Sequence, residues 1–310
     1  MHVIRAPHEL QPGHRKVCLA MGFFDGVHLG HQQIIRQTVA DAQRHDALSL
    51  VLTFDRHPRS VIAPDRAPPL IYSLPQKIRT IGTLGVEYLL LLHFDETLCR
   101  QPGDLFIRDL ARDLKRIQSV CVGANFVFGH NRGGNVEMLR KLGLDLQFTV
   151  HGVASLALDG EPVSSTRIRR CIRDGQLDLA GQMLGRAYSI AGIVAAGDRL
   201  GHTLGFPTAN IDAAGLALPP NGVYAVHAIF AGKLHRAVLN IGYRPTLQNP
   251  NPSLRVEAHL LDFSGDFYGQ ELEVIFLEKL RDEIKFPSLD DLRSQITRDI
   301  TQARRIFAND

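Results

Sequence analysis

The period of the hydrophobic positions changes once along the chain, near residue 185. Before that point, unbroken apolar runs at 17–24, 48–54, 88–94, 119–123 and 146–153 alternate with stretches of helical spacing such as 32–44. Unbroken runs predict strands buried on both faces. Strands alternating with helices predict a doubly wound parallel α/β sheet with right-handed crossovers. From Tyr188 onward the apolar runs are short and β-rich, at 190–196, 222–230, 235–241, 254–263 and 271–276, with Gly and Pro between them. That pattern predicts a small antiparallel β-barrel. Ser288, followed by Asp290, Asp291 and apolar residues at helical spacing over 288–307, predicts a terminal helix lying on the barrel. Two domains are therefore expected, 1–185 and 186–310.

In open parallel sheets ligands bind beyond the carboxyl ends of the strands, and the polar motifs of the first half fall there. The first is Gly22-Phe23-Phe24-Asp25-Gly26-Val27-His28-Leu29-Gly30-His31. It places His28 and His31 on a Gly-rich turn that opens a helix, where unpaired N–H groups and the helix dipole favour anions such as a nucleoside triphosphate. The His-x-Gly-His pattern resembles the nucleotidyltransferase superfamily, in which both imidazoles hold and polarise ATP phosphates. Three other segments point at the same cleft: Thr53-Phe54-Asp55-Arg56-His57-Pro58, Gly123-Ala124-Asn125-Phe126-Val127-Phe128-Gly129 and Ser164-Ser165-Thr166-Arg167-Ile168-Arg169. In the last, hydroxyls at a helix start can cap it or bind phosphate oxygens, and Arg167 can pair with phosphate by a bidentate fork.

Composition narrows the partners. With 45% hydrophobic and 22% charged residues the chain is an ordinary globular one, and a formal charge of +3 is too small for a nucleic-acid-binding surface despite the cluster Arg167, Arg169, Arg170 and Arg173. Phosphate is expected as a partner rather than a polynucleotide. Cys18, Cys99, Cys121 and Cys171 are scattered without a Cys-x-x-Cys pair, so neither a zinc site nor a disulfide framework is signalled. No secretory h-region and no membrane-length apolar run is present, and a cytoplasmic location without membrane partners is expected.

The second half carries its own motifs. Gly192-Ile193-Val194 precedes Gly201-His202-Thr203-Leu204-Gly205-Phe206-Pro207-Thr208-Ala209-Asn210-Ile211; then come Asn240-Ile241-Gly242-Tyr243-Arg244-Pro245-Thr246, Val256-Glu257-Ala258-His259, and Asp262-Phe263 with Tyr268-Gly269. Thr208 and Asn210 are two apart, so in extended chain both side chains face one way, and their neutral oxygens suit Mg²⁺ shared with nucleotide phosphates. An Asn turn after Pro207 is the competing reading. In order and spacing, the motifs of both halves resemble the bacterial bifunctional riboflavin kinase/FAD synthetase family over nearly the whole chain.

The resemblance implies a nucleotidyltransferase domain followed by a six-stranded antiparallel barrel with a terminal helix. It also implies two activities: phosphorylation of riboflavin to FMN, and transfer of AMP from ATP to FMN, giving FAD and pyrophosphate. It assigns His28, His31 and Arg167 to catalysis on the ATP phosphates. Gly22, Phe24, Asp25, Gly26, Asn125, Ser164, Ser165 and Thr166 would bind nucleotide, and His57, Pro58 and Phe126 flavin. An FMN phosphate is already ionised at neutral pH, so no general base is needed there. Riboflavin's hydroxyl must instead lose a proton, and the family motif places Glu257 as the base. Gly201, Gly205 and Asn240 fall to the nucleotide, Arg255 to flavin, and Thr208 and Asn210 to Mg²⁺. The expected partners are these small molecules only, with the chain a monomer or weak homo-oligomer. Three positions depart from the family: Arg56 where proline is usual, Asn135 where aspartate is frequent, and His202 where arginine is common. Two other readings stay open: a flavokinase whose first half has become regulatory, and a flavin-binding sensor without turnover.

Overall fold

Two apolar segments, Val17–Met21 and Leu48–Phe54, organise the first half, and Leu19, Leu50 and Val51 within them are fully buried. In the computed structural model, which describes residues 1–11, 13–195, 205–243, 254–263, 265 and 267–308, these segments are neighbouring strands covered on both faces. The elements are β1 (His2–Ile4), β2 (Val17–Met21), α1 (Leu29–Arg44), β3 (Leu48–Phe54), α2 (Leu74–Gly82), β4 (Tyr88–Leu92), α3 (Gly103–Asp113), β5 (Ile117–Gly123), α4 (Val136–Leu146) and β6 (Thr149–Val153). All pairings in the sheet are parallel, in the order β1-β4-β3-β2-β5-β6. One face packs Ala20, Val51 and Leu89 against Ile34 and Ile35 of α1 and Ile81 of α2; the other packs Leu19, Leu50 and Val120 against Ile107 and Leu110 of α3 and Leu139 and Leu142 of α4.

The order reverses between β2 and β5, and in open parallel sheets ligands generally bind in the crevice beyond the carboxyl ends at such a point. Helix α1 is held there by its own far end. Buried Asp41 accepts from Ser119 Oγ of β5 (3.1 Å) and from Gln37 Nε2 (2.9 Å), and lies 3.1 Å from His151 Nε2 of β6. A buried carboxylate is tolerated only with such partners.

The expected strands are present with two shifts. The run 17–24 stops being a strand at Met21, because Phe24 turns to a left-handed φ of 54°. The run 146–153 begins as a strand only at Thr149, Leu146 being the last residue of α4. β1 was not anticipated, since three residues are too few to show a period. The cysteines are free thiols; burial holds Cys18 above its ordinary value and pushes Cys121 up to about 12, so both are inert core residues.

The chain forms two compact units, residues 1–70 with 74–167, and 71–73 with 168–310. Helix α5 (Ser165–Arg173) begins in the first unit and continues past residue 167 into the second, where α6 (Leu177–Leu184) leads into β7 (Ser189–Ala195), β8 (Ala209–Ile211), β9 (Gly222–Phe230), β10 (Lys233–Tyr243), β11 (Leu254–Leu260) and β12 (Glu271–Arg281). These close into an antiparallel barrel in the order β7-β8-β11-β10-β9-β12, so no sheet edge is left unpaired. The terminal helix α7 (Leu289–Ala308) buries Ala303 and Phe307 against Val223, Ala225, Val238 and Leu261. Ser288 Oγ accepts from the N–H of Asp291 (3.1 Å), the expected cap.

Arg281, at the end of β12, clamps buried Asp299 of α7 through Nε (3.0 Å to Oδ1) and Nη2 (2.9 Å to Oδ2). Removing one partner of a buried pair leaves a desolvated charge. Asp299→Ala is therefore expected to destabilise the second unit by about 3 kcal/mol, read as a lowered urea midpoint with an unchanged slope.

Candidate active sites

The loop between β2 and α1 has an unusual backbone. Phe24 (φ 54°), Gly26 (φ 75°) and Val27 (φ 42°) all lie in the left-handed region, which glycine enters freely and a β-branched residue does not. The conformation is held by burial of the Phe24 and Val27 side chains and by donors from outside the loop. The Phe23 carbonyl accepts from Thr53 Oγ1 (2.9 Å) and Lys77 Nζ (3.2 Å), the Asp25 carbonyl from Ser165 Oγ (3.0 Å), and the Val27 carbonyl from Gln32 Nε2 (3.0 Å).

This turn delivers the two histidines as a pair. His28 is the N-cap of α1, its Nδ1 accepting from the N–H of His31 (3.3 Å), and the two rings stack with centroids 3.5 Å apart. The edge of Phe24 meets the His31 ring at 5.2 Å. Gly22 passes so close to Phe24 that a Cβ there would lie 2.8 Å from its ring. Imidazoles at a helix N-terminus combine with the helix's own N–H groups into an anion-binding surface.

The other predicted residues of this half are placed as follows. His57 packs against Phe23 (4.8 Å between centroids) and accepts from the N–H of Arg59, so it and Pro58 flank the same loop. Asn125 is exposed directly after β5, and Phe126 stacks on Phe128 at 5.4 Å. Ser164 Oγ accepts from the N–H of Arg167 (3.2 Å), Thr166 is exposed, and Ser165 spends its hydroxyl on the Asp25 carbonyl. Arg167 Nη1 donates to the carbonyls of Leu158 (2.8 Å) and Glu161 (3.0 Å), tying down the hairpin formed by Ala157–Leu158 and Glu161–Pro162. Arg56 lies 2.8 Å from His93 Nε2, while His93 Nδ1 lies 2.6 Å from Asp55. Burial pushes the Asp55 carboxyl up, but His93 and the N–H of Phe94 outweigh it and hold the group below its ordinary value.

Lys77 and Gln32 carry no motif and were not anticipated. Lys77 lies on α2, and its Nζ donates to the Phe54 carbonyl (2.8 Å), the Phe23 carbonyl and Thr53 Oγ1 (3.3 Å), 4.4 Å from the centre of the Phe23 ring. Burial lowers its ammonium to about 8, with Asp25 and Asp55 pulling the other way. A lysine between Gln76 and Ile78 in an amphipathic helix gives no sequence signal of such a role.

In the second unit, strand register assembles the site. Asn210 of β8 and Asn240 of β10 are both the direct partners of Glu257 on β11, so the three form one row across adjacent strands. Arg255, two residues before Glu257, has Nη1 3.8 Å from its carboxylate. Thr208 precedes β8, where the Pro207 carbonyl is 2.8 Å from His259 Nδ1 and Phe206 meets the His259 ring edge-on. Gly205 holds a φ of 87°, the left-handed conformation a side chain would strain. Beside it opens a cavity of about 330 Å³ bordered by Phe206, His259, Asp262, Thr301 and Arg304. Gly201 and His202 lie outside the described residues. Among the described residues no group of three His, Cys, Asp or Glu could hold a metal, and no helix is long and apolar enough to cross a membrane.

A parallel sheet with histidines at its switch point, joined in one chain to a closed barrel, defines a nucleotidyltransferase-type domain coupled to a kinase-type barrel. Family profiles agree: FAD synthetase matches residues 10–167 and riboflavin kinase matches residues 184–307. The chain is 36% identical over 309 residues to the bifunctional riboflavin kinase/FMN adenylyltransferase of Escherichia coli (strain K12), covering 99% of this chain and 98% of that one. It is 38% identical over 308 residues to that of Haemophilus influenzae, covering 99% of each. A solved structure described as a macrolide-efflux protein from Streptococcus pneumoniae has a TM-score of 0.81 at 28% identity, covering 97% of this chain and 98% of that one. The chain belongs to the bifunctional riboflavin kinase/FMN adenylyltransferase family.

The loop geometry yields an expected stability effect. Ser165→Ala removes the hydroxyl that the Asp25 carbonyl accepts and should cost the first unit about 1 kcal/mol, read as a lower urea midpoint.

Proposed function

We propose that this chain makes FAD from riboflavin in two ATP-dependent steps, with an FMN adenylyltransferase domain over 1–185 and a riboflavin kinase domain over 186–310. The observation that carries this reading is that both polar constellations are intact in one chain: the stacked His28/His31 pair at the sheet's switch point and Glu257 flanked by Asn210 and Asn240 in the barrel. Family membership over its full length supports the same pair of activities.

In the barrel, Glu257 accepts the proton of the ribityl 5′-hydroxyl as its oxygen attacks the γ-phosphorus of ATP; the bond to the β-phosphate oxygen breaks and ADP leaves. Arg255 lies on the same strand face two residues away, close enough to orient flavin and phosphate beside the base. Gly205, the cavity next to it and Asn240 receive the nucleotide, together with Gly201. The hard neutral oxygens of Thr208 and Asn210, next to a carboxylate, fit Mg²⁺, which when bound offsets charge on the nucleotide phosphates.

In the first domain an FMN phosphate oxygen attacks the α-phosphorus of ATP, the bond to the β-phosphate breaks, and pyrophosphate leaves. The nucleophile arrives ionised, so the residues' work is positioning and charge stabilisation. His28 and His31 face the phosphates with the N–H groups of α1, and Asn125, Ser164 and Thr166 border them. Arg167 supplies positive charge from the position its two carbonyl contacts fix. Gly22, Phe24, Asp25 and Gly26 give the loop its shape, and Ser165 braces it. His57, Pro58 and Phe126 border the flavin.

A chromatographic time course with riboflavin, ATP and Mg²⁺ should show FMN first and FAD after it. FMN without FAD, even from supplied FMN, would instead mark the first half as regulatory, and bound flavin inert to ATP would mark a sensor. Two variants separate the steps. His28→Ala should lower FAD formation at least about 10²-fold and leave FMN formation intact. Glu257→Gln should lower FMN formation roughly 10²- to 10⁴-fold while FAD still forms from supplied FMN.

A further inference from the structure

We propose that Lys77 is a positioning residue for adenylyl transfer, locking the loop that presents His28 and His31 to the ends of β2 and β3. The inference rests on the adenylyltransferase reading of the first domain.

The contacts of Lys77 define this role. An ammonium has three N–H donors, and Lys77 has three acceptors: the Phe54 carbonyl at 2.8 Å, the Phe23 carbonyl at 3.2 Å and Thr53 Oγ1 at 3.3 Å. With its donors directed at the protein, Lys77 acts through what it holds. Phe54 is the last residue of β3 and Phe23 lies two residues beyond the end of β2, so both carbonyls immediately precede loops of the site. Phe23 leads into Phe24-Asp25-Gly26-Val27-His28, and Phe54 into Asp55-Arg56-His57.

The His28 loop needs an outside restraint. Left-handed backbone at Phe24 and Val27 costs of order 1–3 kcal/mol per residue and persists only where the surroundings over-determine it. The lysine also fixes the Phe23 ring, lying 4.4 Å from its centre, and that ring in turn carries His57 on its edge at 4.8 Å. One side chain from α2 thus sets two loops of the same cleft in register. The cost of burying an ammonium shows in its lowered basicity, which the neighbouring Asp25 and Asp55 only partly restore.

The test uses the full chain with Lys77→Met, which keeps the aliphatic stem and removes the donors, Thr53→Val, which keeps the shape and removes the other donor to Phe23, and the double variant. FAD formation from FMN and ATP and FMN formation from riboflavin and ATP are measured on each. Lys77→Met is expected to lower FAD formation roughly ten- to a hundredfold, mainly in kcat, with FMN formation unchanged. Because both donors serve one carbonyl, the double variant should lose less than the product of the single losses. A Lys77→Met chain with the wild-type FAD rate, or losses that multiply and fall on the ATP KM alone, would overturn the proposal. If Lys77→Met does not fold, Thr53→Val decides: a slowed FAD rate supports it and a wild-type rate overturns it. Wild-type protein forming no FAD at all would overturn the adenylyltransferase reading itself.

Discussion

Where a parallel strand ends, its carbonyls lose their ladder partners, and the loop after β2 must satisfy them while turning through left-handed backbone. Buried peptide groups are almost always paired, so this loop can exist only where other elements bring donors to it. Thr53 and Lys77 serve Phe23, Ser165 serves Asp25 and Gln32 serves Val27. The placement of His28 follows from that arrangement. With the turn so held, its ring caps α1 and stacks on His31, and the pair sits at the helix start.

The two units meet the problem of handling ATP with opposite architectures. In the first, the polar groups stand on loops at a switch point, and precision depends on braces such as Asp41, which anchors the far end of α1 to β5 and β6. In the second they stand on strands, and ladder register alone lines up Asn210, Glu257 and Asn240. The difference suits the proposed chemistry. An ionised phosphate nucleophile asks for a surface of donors, whereas a hydroxyl nucleophile asks for one carboxylate in a fixed place.

The candidate residues of both sites could be nominated from the sequence because they are bunched in short motifs. The His pair and the hydroxyl run 164–166 stand out locally, whereas Glu257 was reached only through the family motif Val256-Glu257-Ala258-His259. Two readings changed meaning once partners were visible: Ser165 and Arg167 donate to carbonyls of the protein, work that a list of phosphate-type side chains does not distinguish from ligand binding. Asn135, where the family more often has aspartate, caps α4 by accepting from the N–H of Met138 at 2.9 Å, and either side chain can do that. Arg56, where the family usually has proline, is engaged with His93 beside Asp55.

By itself the sequence determined the elements and their grouping: unbroken apolar runs for a sheet covered on both faces, short punctuated runs for a barrel, and a capped helix at the end. Hydrophobic periodicity is local, so it survives in one dimension. Tertiary structure alone decided the strand order with its reversal between β2 and β5, the row that sets Glu257 between two asparagines, and the part played by Lys77. Those depend on pairings between residues distant in the chain, such as Lys77 with Phe54, 23 positions apart, and Asn210 with Glu257 across neighbouring strands, and no local pattern encodes such a distance.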